Sequence, residues 1–106
     1  MKKDSIDHFA ITVSDIDASA AWYLSSFECE IIYKDNKQVL IQFENIKLTL
    51  VLPSQERPHF AVCRDDAKTF GALRELPNGV SSCFIADPTG NPVELIQTNQ
   101  DKIEKS

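Results

Sequence analysis

Cysteine is too sparse and too irregular to staple this chain. Its three cysteines, Cys29, Cys63 and Cys83, are odd in number and fall in no C-x-x-C spacing. That pattern argues against a disulfide framework and makes the cytoplasm the expected compartment. Long apolar runs are missing as well, so no stretch is expected to span a bilayer. The start, Met1-Lys2-Lys3-Asp4, carries charge with no apolar run behind it, so no secretory leader is expected. Clusters of basic residues are also absent. Eleven lysines and arginines are scattered among sixteen acids, for a net charge of −5. Nucleic-acid backbones and anionic membrane surfaces require concentrated cations, so neither is expected as a partner. Histidine is scarcer still, with two in 106 residues.

What is present is an ordinary globular composition, 42% hydrophobic, in a chain of single-domain size. A chain this short buries a modest core, and a homodimer is expected. Residues 6–13 alternate, with Phe9, Ile11 and Val13 on an apolar face and His8, Ala10 and Thr12 on the other. Ser14 and Asp17 have the spacing of a capping box. A helix is expected from there to about Phe27, burying Ile16, Ala20, Tyr23, Leu24 and Phe27. Residues 28–34 and 38–44 read as strands joined by an Asp35-Asn36-Lys37 turn, and residues 46–52 as a further strand.

After residues 53–57 the pattern restarts. His59-Phe60-Ala61-Val62 repeats His8-Phe9-Ala10-Ile11 nearly letter for letter. A second helix is expected over 65–75, with Ala67, Phe70 and Leu73 inward and Pro77-Asn78-Gly79 ending it. Strands are expected over 80–86 and 92–97, joined by the turn Asp87-Pro88-Thr89-Gly90. The organisation is therefore one domain of two modules, about 5–52 and 58–98, with linker 53–57 and a polar tail over 99–106. The second module reads as shortened, with little room for a strand before residue 80.

The two histidines occupy equivalent places on the strand faces opposite the core. Leu48-Thr49-Leu50 aligns with Val93-Glu94-Leu95, and Glu94 shares the histidines' side of its strand. A carboxylate between buried apolar neighbours is costly unless paired or liganded. Two histidines and a glutamate with room for solvent form the donor set of open catalytic metal sites. His8, His59 and Glu94 are thus candidate ligands for one divalent metal ion, with Zn, Fe, Mn, Ni and Co all compatible. Thr12, Thr49 and Ser82 are candidate substrate contacts. Cys63 and Cys83 read as small core residues, and Trp22 and Tyr23 as helix packing.

These residues resemble the vicinal oxygen chelate superfamily, the glyoxalase/bleomycin resistance/dioxygenase group. The resemblance covers about residues 5–98. It rests on Asp7-His8-Phe9-Ala10-Ile11-Thr12-Val13, on Ala21-Trp22-Tyr23, on the repeated His59 strand, and most specifically on Asp87-Pro88-Thr89-Gly90-Asn91-Pro92-Val93-Glu94-Leu95. It implies an α+β fold of two βαβββ modules forming a U-shaped mixed sheet with helices on the outer face. It also implies a divalent metal at His8, His59 and Glu94, with Thr49, a poor ligand, where four-ligand relatives place a fourth. The implied activity is that of a metal-dependent lyase or isomerase acting on a small molecule with vicinal oxygens, with Glu94 as a catalytic group. Alternatives within the resemblance are a thiol transferase of the fosfomycin-resistance type and a non-catalytic binder of the bleomycin-resistance type. Alternation is the same whether the modules pair within one chain or swap between two.

Overall fold

The computed structural model describes residues 2–76 and 79–98. By internal contact the chain divides into two compact units. One runs His8–His59, and the other combines the chain before His8 with the chain from Phe60 onward. Strands β1 (Ser5–Thr12) and β5 (His59–Arg64) both cross that division.

In the first unit, α1 (Ile16–Ser26) follows β1, and then come β2 (Glu30–Lys34), β3 (Gln38–Gln42) and β4 (Lys47–Val51). The strands lie in the order β2-β3-β4-β1. The β3 and β4 strands are antiparallel, whereas β1 and β4 are parallel. Asp35 shapes the β2–β3 hairpin, its Oδ1 accepting from the backbone N–H groups of Lys37 and Gln38 at 2.8 and 2.9 Å. The core is Val39, Ile41 and Leu50, all at 0% exposure, under Ile16 and Ala20 of the helix.

The helix is capped by Asp15 rather than Ser14. The Asp15 side chain accepts from the Ala18 N–H at 3.0 Å, the usual N-cap geometry one residue later than the capping-box spacing suggested. The buried stripe is also narrower than expected. Leu24 and Phe27 are 44% and 49% exposed, because the helix packs on β3 and β4 through its first turns. Phe27 instead joins an aromatic group with Trp22, Tyr23 and Phe43. Phe9 and Ile11 share a face with Leu48 and Leu50 but remain 43% and 36% exposed.

The second unit repeats the plan with one reduction. Its strands are β5, β6 (Arg74–Glu75), β7 (Ser81–Ala86) and β8 (Pro92–Gln97), in the order β5-β8-β7-β6. The β5 and β8 strands are parallel, and β7 and β8 antiparallel. The expected helix over 65–75 is a single 3₁₀ turn, Ala67–Thr69. Thr69 and Gly71 are poor helix formers, and the Thr69 hydroxyl donates back to the Asp66 carbonyl at 2.8 Å, competing with helix propagation. Ala67 is buried and Leu73 packs on the small core of Ala67, Cys83 and Leu95, whereas Phe70 is 48% exposed under the Arg64 guanidinium. The shortening therefore falls on the helix. The strand before residue 80 is present as the two-residue β6. Of the expected breaker, Gly79 sits at φ 86° and donates to the Leu76 carbonyl; Pro77 and Asn78 lie outside the described residues, as does the tail beyond Thr98.

The β7–β8 turn forms as its sequence indicated. Gly90, at φ 98°, donates its N–H to the Asp87 carbonyl at 2.9 Å. Asp87 Oδ1 accepts from the N–H groups of Thr89 and Asn91, and Oδ2 from the Asn91 side chain, each at 2.9 Å. Hydrogen bonds from Asn91, with others from the turn backbone, hold the Asp87 carboxyl below its ordinary value. Among the described residues no helix is long and apolar enough to cross a membrane.

Leu50→Ala should cost about 2–5 kcal/mol in urea denaturation, the range for a fully buried leucine. Phe70→Ala should cost under about 1 kcal/mol, as for an exposed side chain; equal costs would restore Phe70 to the core. For Asp87→Asn the sign follows from the lowered carboxyl. Asp87 stabilises the fold above the unfolded carboxylate value of about 3.9 and ceases to as pH falls through its lower folded value. The melting-temperature gap to wild type should be open at pH 7 and close on acidification below about pH 3.9; a gap independent of pH would contradict the charged hydrogen bonds as its source.

Candidate functional site

The two parallel ladders carry the repeat into three dimensions. In the first, Ala10 of β1 is registered with Thr49 of β4; in the second, Ala61 of β5 is registered with Glu94 of β8. Each histidine stands two residues before its alanine, so His8 and His59 share their strands' faces with Ala10 and Ala61. Thr49 and Glu94 are thereby equivalent positions, as the aligned Leu-Thr-Leu and Val-Glu-Leu runs suggested. The opposite faces of β4 and β8 carry Leu48 and Leu50, and Val93 and Leu95, into their own cores.

His8 and His59 are brought together, with ring centroids 6.0 Å apart and planes at 74°. The His59 side chain is 3% exposed, and its Nδ1 lies 2.7 Å from the Arg57 carbonyl oxygen. A carbonyl can only accept, so Nδ1 is the donor in this contact. This is the arrangement by which proteins fix a ligating histidine's tautomer. The Glu56 carboxylate stands 3.8 Å from the same Nδ1, on the protonated side of the ring.

Glu94 is 3% exposed, and its Oε2 accepts from the Ser82 hydroxyl at 2.7 Å; Ser82 itself is fully buried. Ser82, a candidate substrate contact, is therefore a partner that orients Glu94. Burial pushes the neighbouring Cys83 thiol up, and the charge of Glu94 adds to the effect. Cys83 donates to the Ala67 carbonyl at 3.4 Å within the core, consistent with its reading as a small core residue; Cys63 is half-buried. Of the remaining candidates, Thr49 is buried opposite Ala10, and Thr12 is half-buried opposite Val51.

Two features escaped the sequence reading. The Arg57 carbonyl that orients His59 belongs to the linker, and backbone atoms leave no residue-type signal. Lys47 is registered with His8 and, by alternation with Leu48, lies on the same sheet face. Its signal was available in the alternation Lys47-Thr49-Val51, though the ladder that pairs it with His8 was not.

No family model and no curated protein matches the chain. Solved structures do. A hypothetical protein from Bacillus halodurans C-125 superposes with a TM-score of 0.71 at 14% identity, covering 92% of this chain and 96% of that one. Methylmalonyl-CoA epimerase from Mycobacterium tuberculosis gives 0.70 at 17%, covering 95% and 91%. A glyoxalase/bleomycin resistance protein/dioxygenase superfamily member from Vibrio splendidus 12B01 gives 0.68 at 13%, covering 91% and 100%.

The tautomer assignment has a direct check. In the metal-free protein, nitrogen-15 spectra of the His59 ring should show Nδ1 protonated at pH 8; a proton-free Nδ1 would contradict the Arg57 contact. With one βαβββ module, a second in which a 3₁₀ turn replaces the helix, and a parallel ladder in each, the chain has the fold of the glyoxalase/bleomycin resistance/dioxygenase superfamily.

Proposed function

We propose that the chain is a metal-dependent enzyme of the lyase or isomerase type, holding one divalent ion through His8, His59 and Glu94. The observation that carries this reading is the histidine pair. Two imidazoles lie 6.0 Å apart, and one has Nδ1 at 2.7 Å from a carbonyl oxygen, the contact that orients a ligating ring. Glu94 supports it independently. A carboxylate this buried is costly as an anion unless positive charge offsets it, and a divalent ion would do so. The register Ala61–Glu94 puts the carboxylate beside the strand that begins with His59.

Bound there, the ion would act as a Lewis acid and template for two adjacent substrate oxygens, leaving coordination positions open. The donor set suits Zn, Fe, Mn, Ni or Co. The chain's own residues supply orientation. The Arg57 carbonyl fixes the His59 ring, and the Ser82 hydroxyl holds one carboxylate oxygen of Glu94. The Ser82 hydrogen bond to Oε2 would hold the Glu94 carboxylate in place as a ligand or as a proton-holding group. A methylmalonyl-CoA epimerase of this fold makes an isomerisation of a small acyl substrate a natural first assay. The cytoplasmic location and homodimer expected from the sequence belong to this reading. Phe9 and Ile11, 43% and 36% exposed, offer apolar surface for self-association.

Elemental analysis of untagged protein should find about one transition-metal equivalent per chain, lost in His8→Ala and in His59→Ala while circular dichroism stays native. No uptake of any divalent ion by wild type would overturn the metal reading and leave a small-molecule binder.

A further inference from the structure

On the metal reading above, we infer that Phe84 is a specificity-determining residue, an aromatic shelf beside the Glu94 ligand that receives an aryl group of the substrate. The placement comes from the β7–β8 ladder, which lies within one compact unit. Phe84 of β7 is registered with Glu94 of β8, and residues directly opposite in an antiparallel pair project from the same face. Ser82, whose hydroxyl donates to Glu94 Oε2, stands two residues before Phe84 and fixes that face independently. The alternate residues go the other way, Cys83 into the core with Ala67 and Leu95, and Ile85 against it. Phe84 therefore lies outside the core of its unit, 37% exposed.

Two observations set this ring apart from an incidental surface phenylalanine. Its neighbour across the ladder is a carboxylate only 3% exposed, so open aromatic surface adjoins the group that would hold the ion. The ring is also braced. Arg74 of β6 is registered with Ser82, on the same face, and its guanidinium carbon lies 5.8 Å from the Phe84 ring centroid. That cation–π contact steadies the ring while part of its surface stays open. In the first repeat the residue across from Thr49 is Leu40, so an aromatic replaces an aliphatic in the half that carries the carboxylate. Aromatic side chains beside a few polar groups are the usual lining of small-molecule sites. An aryl group gains both burial and an offset or edge-to-face ring contact on such a shelf, whereas an alkyl group gains burial alone.

The test uses cobalt(II)-loaded protein titrated with benzohydroxamate and acetohydroxamate, with binding read from the visible absorption bands. The two probes share one metal-binding group and differ in carrying phenyl or methyl. Wild type should prefer benzohydroxamate by about tenfold or more. Phe84→Ala should keep about one cobalt per chain and bring the preference below about threefold. Phe84→Tyr should keep the preference and Phe84→Leu should lose most of it; these two preserve bulk and guard against an alanine variant that does not fold. Full cobalt loading with no phenyl preference in wild type, or with the preference intact in Phe84→Ala or Phe84→Leu, would overturn the shelf and leave the metal site standing. Failure of wild type to take up cobalt would overturn both.

Discussion

Burying the Glu94 carboxylate is the constraint around which the second half of the chain is arranged. At 3% exposure it lies between Val93 and Leu95, which face the core of that unit. Such a group is tolerated where hydrogen bonds and positive charge meet it. Ser82 supplies a hydrogen bond from the adjacent strand, and it can do so because the β7–β8 hairpin holds its register. That register begins at the Asp87 turn, where one carboxylate collects three hydrogen bonds and Gly90 adopts a positive φ. The most specific stretch of the sequence and the most costly buried group are thus the two ends of one hairpin.

The two repeats share a ladder and differ in chemistry. Alternation gives each module an alanine opposite the middle of its last strand and a histidine two residues earlier. The residues in the middle of each ladder, Ala10 and Ala61, are small and buried. Within that shared ladder plan the second repeat carries Glu94 where the first carries Thr49.

Much of this was legible in the sequence, because strands write their faces into alternate residues. The histidine repeat, the Thr49–Glu94 equivalence and the Asp87 turn were all readable from local spacing. The second helix was misread because Ala67, Phe70 and Leu73 have helical spacing, while Thr69 and Gly71 between them break the backbone pattern; the 3₁₀ turn results. The buried stripe of α1 was overdrawn at Leu24 and Phe27, since periodicity marks a face but not how far the neighbouring strands extend beneath it. The hold of Arg57 on His59 is a backbone contact, invisible in residue types.

X-ray absorption at the zinc edge of the reconstituted protein addresses the central claim most directly. The His8, His59 and Glu94 assignment requires a first shell of nitrogen and oxygen at about 2.0–2.2 Å, with the outer-shell scattering of two imidazoles. Sulfur scattering at about 2.3 Å, or a shell without imidazole, would contradict it.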